Sequence, residues 1–336
     1  MDVRQIDPDD EAAFDAFYGV LHETDVERWP NVSGWTRSEV HVMASADAAA
    51  SRYDCLVARV GNATVGICLL ERSQRDNTHE LKLDIRVLPT HRRLGIGRAL
   101  AGLAEQIGRE DGRMTMCHIC EVPTAQLPGH PSVPFAQSLG FASVQTGHVR
   151  HLSLPVPPER REQLWKEAHA ASVGYRILTF TSPWPEEFLD DQCALWRRMS
   201  TDAPHGDEQH EEEVWDVARV EEMDAMLAAQ GRSKLTAVAQ HEASGRLVAY
   251  SELVVSKEQP AEAWQWATLV AREHRGHRLG MAVKLANLDY LRQQVPAATL
   301  VTTGNAQENA PMIAVNDMIG FQVVATGTFW RKQLAV

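Results

Sequence analysis

The chain has 336 residues, 44% hydrophobic and 23% charged, which fits two globular domains of ordinary size. Its net charge of −12 argues against nucleic acid as a partner, because that binding needs a basic face. No apolar run reaches the ~18 residues that span a membrane, Met1 to Ile6 lacks the regions of a secretion signal, and five cysteines fit reduced thiols, so a cytoplasmic protein without membrane contact is expected.

A strand is expected at Val3 to Ile6, then a helix from about Asp9, capped by Asp9 or Asp10. Tyr53 to Val60 and Thr64 to Leu70 flank Gly61-Asn62, a hairpin signal. His79 to Val87 alternates, with Leu81, Leu83, Ile85 and Val87 on one face and Lys82, Asp84 and Arg86 on the other. The loop Arg92-Arg93-Leu94-Gly95-Ile96-Gly97 follows, then a helix to about Gly112 and a strand at Thr115 to Val122. Pro155-Val156-Pro157-Pro158 and a charged, helix-like stretch mark a boundary. The expected division is a domain over 1–158, a linker helix over 159–173 and a second domain over 174–336.

The second half repeats the order. Strands are expected at Tyr175 to Phe180, Leu235 to Gln240, Leu247 to Val255, Trp264 to Val270 and Ala298 to Thr303, with helices around Glu186 to Met199 and Ala282 to Gln294. Its loop is Arg275-Gly276-His277-Arg278-Leu279-Gly280-Met281-Ala282, and on a Gly95-to-Gly280 alignment it is two residues longer than the first. Each half closes on a Gly-Phe pair, Leu139-Gly140-Phe141 or Ile319-Gly320-Phe321. Beyond those pairs Val144, Thr146, Gly147 and Leu154 match Val324, Thr326, Gly327 and Leu334 without a gap. So long a period means two copies of one domain.

A strand, a glycine loop and a helix N-terminus together form an anion site, because backbone N–H groups converge there and the helix dipole adds positive charge. Gly95 and Gly97 are expected to let the backbone approach a pyrophosphate, with Arg92, Arg93 and Arg98 adding charge. In the second half Gly276, Gly280 and Ala282 are expected in the backbone role, with Arg275 and Arg278 adding charge. Neither the Walker pattern nor a dinucleotide fingerprint is present.

The run Val87 to Leu100, with Leu139-Gly140-Phe141, resembles the acetyl-CoA loop and late signature of the GCN5-related N-acetyltransferase (GNAT) superfamily. Val270 to Ala282, with Asn305, Asn309, Met312, Asn316 and Ile319-Gly320-Phe321, resembles it again, and the tandem plan and length are similar to those of the mycothiol synthases. The resemblance implies an α/β fold of two mixed sheets, each splayed after the Val87 or Val270 strand and flanked by helices. It implies that acetyl-CoA, or another acyl-CoA, is held by Val87, Arg92, Arg93, Leu94, Gly95, Ile96, Gly97 and Arg98. In the second half Val270, Arg275, Gly276, His277, Arg278, Leu279, Gly280, Met281, Ala282, Asn305, Asn309 and Asn316 would do the same. The implied reaction is direct acetyl transfer to a primary amine of a small molecule, an amine on a thiol–sugar conjugate being the specific version, by a monomer or homodimer.

Many members place a tyrosine, the acid, where this chain has Ala136 and Asn316. Candidate bases are Glu80, Asp84 and Glu121 in the first half and Glu252 and His274 in the second, with the active half left open. Cys117-His118-Ile119-Cys120 lies on a strand, where thiols three apart face opposite sides, so no metal is expected. The acidic run from Asp207 to Glu213 is read as a helix start or an attractor of cationic substrate, and Trp264 and Trp266 as core. Rival readings are a non-catalytic acyl-CoA sensor, a protein-lysine acetyltransferase and an aminoacyl-tRNA-dependent transferase.

Overall fold

The computed structural model describes residues 1–29, 34–46, 50–202 and 211–334. The chain forms two compact units. From the N-terminus the elements are β1 (Asp2–Ile6), α1 (Glu11–Arg28), α2 (Arg37–Ser45), β2 (Ser51–Val60), β3 (Ala63–Ser73), β4 (Glu80–Val87), α3 (Ile96–Glu110), β5 (Thr115–Pro123), α4 (Ser132–Ser138) and β6 (Ala142–Ser153). There follow α5 (Pro158–Ala171), β7 (Tyr175–Thr181), α6 (Leu189–Asp202), α7 (Val217–Ala229), β8 (Arg232–His241), β9 (Leu247–Ser256), β10 (Glu262–Val270), α8 (Leu279–Gln294), β11 (Leu300–Ala306), α9 (Ala310–Ile319) and β12 (Gln322–Gln333).

Local chemistry starts α1 where expected and adds α2, a helix the sequence reading did not include. The Asp10 carboxylate accepts from the Ala13 amide and opens α1, while Thr36 and Glu39 form a reciprocal capping box on α2. Pro158 sits in the first turn of α5, where a missing N–H costs nothing. The linker helix expected at 159–173 is therefore α5, and it packs in the second unit through Leu164 and Ala168.

In the first unit the strand order is β1-β2-β3-β4-β5 and then β12, and in the second β6-β11-β10-β9-β8-β7. The first unit comprises Met1–Thr146 with the segment from Thr326, and the second Gly147–Ala325. The last strand of each half is thus built into the other half's unit, a division different from one cut at the linker. Leu334 N–H donates to the Met114 carbonyl at 2.8 Å, and β6 runs antiparallel to β11 from Gly147↔Ala306 to Ser153↔Leu300. The repeated Thr-Gly pairs, Thr146-Gly147 and Thr326-Gly327, mark where the chain changes unit.

A Cβ on Gly147 would stand 2.6 Å from the Asn305 carbonyl oxygen, whereas one on Gly327 would meet Glu121 Cγ at an ordinary 3.8 Å. Gly147→Ala should therefore lower the stability of the second unit by about 1–3 kcal/mol. Gly327→Ala should leave the first nearly unchanged, and thermal unfolding of both variants checks this.

Each sheet is covered on both faces. In the first unit Leu81, Leu83 and Met116 pack with Leu100 of α3, and Val57 packs with Phe14 and Phe17 of α1 and Val40 of α2. In the second unit Leu253, Leu285 and Val301 pack with α5 and α8, and Trp184, Trp196, Val238 and Tyr250 with α6 and α7.

The parallel ladder between β4 and β5 runs only from Glu80↔Thr115 to Lys82↔Cys117, and that between β10 and β11 from Glu262↔Leu300 to Gln265↔Thr303. Beyond those pairs the neighbouring strands part, so one edge of β4 and of β10 lies along a cleft that ends at a loop.

Candidate active site

The two loops have one conformation. After Val87 and Val270 come 3-10 turns at Pro89–His91 and Arg272–His274. The next residues, Arg92 and Arg275, donate from Nε back to the Val87 and Val270 carbonyls at 3.1 and 3.2 Å. Each arginine also reaches a carboxylate near the end of the unit's first long helix. Arg92 Nη1 lies 2.9 Å from Glu27 Oε1, and Arg275 Nη2 lies 3.4 Å from Asp202 Oδ2. Positive φ then falls on Arg93 (66°) and Gly95 (83°) in one loop, and on Gly276 (91°) and Arg278 (50°) in the other.

This register corrects the alignment on Gly95 and Gly280. Arg278, not Gly280, stands where Gly95 does, and Gly280 matches Gly97 inside the first helical turn. The loops are equal in length, and α8 begins at Leu279, three residues before the expected Ala282. A left-handed non-glycine residue costs ~1–2 kcal/mol. Arg278 is compensated by a half-exposed ion pair with Glu167 at 2.6 Å, a kind worth ~1 kcal/mol at most. Arg278→Gly should accordingly be neutral to about 1 kcal/mol more stable in denaturant unfolding.

Several residues expected at the cofactor turn their side chains elsewhere. The side chains of Ile96, Leu279, Met281 and Ala282 are core, and the Ala282 amide already bonds to Arg278 O at 3.0 Å. The space a Gly97 Cβ would need is held by Phe135 Cζ at 2.8 Å, so that glycine serves the packing of α4 against α3. Arg98 leans on the Ser138 hydroxyl at 3.3 Å, and Arg92 and Arg275 brace their loops. What both loops do present is an exposed rim, Arg93, Leu94 and Gly95 or Gly276, His277 and Arg278, ahead of helices with no side-chain cap. First-turn amides have no intrahelical acceptor, so those of Ile96, Gly97 and Arg98, and of Leu279, Gly280 and Met281, are available to an anion.

The cleft edges differ. β4 pairs with β3 in continuous register from Arg72↔Leu81 to Gly66↔Val87. β10 carries a bulge, because Gln265 faces Leu253 and Thr268 faces Ser251, so Trp266 and Ala267 together oppose Glu252. Gln265 Nε2 fills it, donating to the Glu252 carbonyl at 2.7 Å and the Ala267 carbonyl at 3.2 Å. The bulge turns Trp266 outward to 42% exposure, against the expectation of a core residue.

Residues 18–141 match the family model of the acetyltransferase (GNAT) family. A tandem GNAT protein from the clavulanic acid biosynthesis pathway, solved without acetyl-CoA, is 26% identical over 100% of this chain and 99% of its own, with a TM-score of 0.80. The first half of the chain carries a GNAT domain, and the whole chain has the fold of a tandem GNAT protein. A GCN5-related N-acetyltransferase from Sphaerobacter thermophilus shares the fold at 15% identity and a TM-score of 0.66, covering 100% of this chain and 96% of that one. A glucosamine N-acetyltransferase region of a fungal β-N-acetylglucosaminidase shares it at 14% identity and a TM-score of 0.66, covering 98% of this chain and 38% of that one. No curated protein matches the sequence. Enzymes of the GNAT family use acyl-CoA, and the uncapped amides of α3 and α8 fit a pyrophosphate.

In the first GNAT unit two of the expected carboxylates, Glu80 and Asp84, are occupied. Glu80 is buried and bonded by Arg331 Nη2 at 2.6 Å. Asp84 is held by Arg86 at 2.7 and 2.8 Å, and Arg86 also reaches Asp25 at 3.1 Å. Burial would raise the Asp84 carboxyl, but Arg86, with His118 and Arg28 behind it, holds it below the usual range, which suits an ion pair and not a base. Glu121 is pushed up by burial. His118 places Nδ1 2.8 Å from the Leu83 carbonyl at the apex of the cleft, and burial lowers its pKa. Nothing in the sequence distinguished it, because the contact depends on where β4 and β5 part.

In the second GNAT unit Glu252 is 3% exposed, and burial pushes its carboxyl up to about 7 against the pull of Lys234. Lys234 Nζ lies 2.9 Å from Asp224 and 3.8 Å from Glu252. Sequence reasoning missed both partners, although a lysine in an otherwise apolar strand is a usable signal. Asn309 caps α9 by accepting from Met312 N–H, so its carboxamide is spent there. Asn316 Nδ2 donates to Asn305 Oδ1 at 2.5 Å, while its own buried Oδ1 has no partner. His274 shares a hydrogen bond with the Tyr175 hydroxyl at 2.9 Å, a brace for the loop. His205 and the run from Asp207 to His210 lie outside the described residues. Among the described residues no group of His, Cys, Asp and Glu is placed to hold a metal ion, and no helix is long and apolar enough to cross a membrane.

Proposed function

We propose that the protein transfers an acetyl group from acetyl-CoA to a primary amine of a small molecule, with the second unit carrying the chemistry. The observation that carries this reading is Glu252, a carboxyl titrating near 7, standing opposite the β10 bulge at the head of a cleft that leads from an anion-binding loop. When bound, the thioester supplies an activated acyl carbon. Glu252 takes a proton from the ammonium, the freed nitrogen bonds to the acyl carbon, and the C–S bond breaks to release a thiolate that takes up a proton. A backbone N–H of the bulge, displaced from the regular ladder, would suit an oxyanion.

Native mass spectrometry with acetyl-CoA tests the loops. Leu94 and His277 occupy matching, exposed loop positions, so a glutamate at either should repel the pyrophosphate without disturbing the core. The expected result is two bound cofactors in the parent chain, one lost in Leu94→Glu and the other in His277→Glu. Turnover that survives Leu94→Glu and fails in His277→Glu supports the second unit, and the reverse pattern moves the chemistry to the first. No binding in the parent chain overturns the proposal.

A further inference from the structure

Polar atoms without partners gather at one place in the second unit. Gln192 on α6 is fully buried, and neither its Nε2 nor its Oε1 has a hydrogen bond. Four residues on, and so on the same helix face, Trp196 is 5% exposed and turns its indole N–H toward the Glu252 carboxyl. The Trp196 ring lies 4.6 Å from Lys234 Nζ, which pairs with Asp224 and faces Glu252. Thr236 stands opposite Glu252 in the β8–β9 register, fully buried, and its hydroxyl is unpartnered. Trp184 presents a buried, unpartnered Nε1, and its ring centroid is 6.5 Å from that of Trp196.

Such groups work against folding unless something bonds to them, and an apolar residue of Gln192's size would do better there if packing were the only demand. The chemistry of the cluster is also one-sided. Two carboxyls face one ammonium, so negative charge is in excess once Glu252 has lost its proton, and tryptophan faces attract a cation further.

We infer that this cluster is the acceptor pocket of the second unit, and that it takes a compact primary alkylammonium on an apolar body with one hydrogen-bonding substituent. The ammonium lies by Glu252 and Asp224, the body lies against Trp196, and the substituent meets Gln192 and Thr236. This assignment rests on the acyl-transfer reading. It disfavours a polypeptide or tRNA acceptor, because the occupant is enclosed by residues that are almost wholly buried.

Tyramine has the required parts, and 4-hydroxyphenylethanol is its neutral counterpart. The full chain is titrated with each, with tryptophan emission as the readout and acetyl-CoA binding followed separately by native mass spectrometry. The expected result is saturable quenching by tyramine, at least tenfold weaker binding of the alcohol, and weaker tyramine binding in Gln192→Leu together with a higher Tm. Thr236→Val gives the same readout should the first variant fail to fold. Equal binding of amine and alcohol, no response to either, or a stabilised Gln192→Leu with unchanged tyramine affinity would overturn the inference. Bound acetyl-CoA without a tyramine response sinks the pocket alone. Tyramine binding without acetyl-CoA binding supports the pocket and sinks the acyl-transfer reading.

Discussion

Glu252→Gln should abolish most of the transfer activity while making the protein more stable above neutral pH. A positioned general base contributes about 10²- to 10⁴-fold, and the amide keeps the shape of the side chain but accepts no proton. The parent rate should rise with pH through about 7, as the carboxyl loses its own proton and becomes a base. An alkyl ammonium has a pKa of about 10, so a carboxylate of ordinary basicity would face a much steeper uphill transfer. The variant should lose that limb of the pH–rate profile and keep its acetyl-CoA affinity. A profile unchanged in shape, with kcat within threefold, would remove Glu252 from the chemistry.

The stability side has the opposite sign. A carboxyl raised from 4.5 to about 7 keeps its proton in the folded state over a range where the unfolded chain has lost it. Its stability cost is therefore absent below about pH 4, grows between the two values, and is complete above 7, where it amounts to about 3 kcal/mol. Glu252→Gln removes the cost, so the variant should exceed the parent at pH 8 and converge with it at pH 4. Lys234 keeps Asp224 at 2.9 Å in the variant, so no buried ammonium is left alone. Activity lost together with stability gained is the pattern of a residue retained for chemistry.

Much of this site can be read from residues in order, and the rest depends on contacts across the chain. Alternation along Leu81, Leu83, Ile85 and Val87 and the glycine loop after them identify β4, the turn and α3, because those signals are local. The second loop was misregistered because glycine is taken as the mark of a left-handed residue, and here Arg278 adopts that conformation. Glu252 could be named as the nearest carboxylate. Its elevated pKa could not, since Asp224 and Lys234 come from α7 and β8 and meet it only in the fold. The strand exchange is equally hidden, because Thr146-Gly147 and Thr326-Gly327 would read the same whichever sheet their strands joined.

Lys284→Met should give the largest gain in stability of any single change in the second unit, about 4 kcal/mol near pH 7. Lys284 on α8 is 1% exposed, and burial lowers its pKa to about 7, with the Phe321 ring centroid 5.3 Å from Nζ. The unfolded lysine titrates at 10.5, so below pH 7 both states are charged and the full burial cost is present. As pH rises from 7 to 10.5 the folded state is already neutral and the cost fades, so parent and variant should converge near pH 10.5. Methionine has a similar length and no charge, and it fills the same space. Alanine should not substitute for it. The first unit carries Ala101 at the matching position, beside Phe141, and there a half-open pocket of about 160 Å³ borders Ala101, Met116 and Phe141. Lys284→Ala removes the charge but leaves a void where the side-chain stem was, and such large-to-small core changes cost about 2–5 kcal/mol, so this variant should come out near neutral. Denaturant unfolding of both variants at pH 7 and pH 10 separates the two contributions. A pH-independent gain in the methionine variant would mean that packing, not charge burial, had changed.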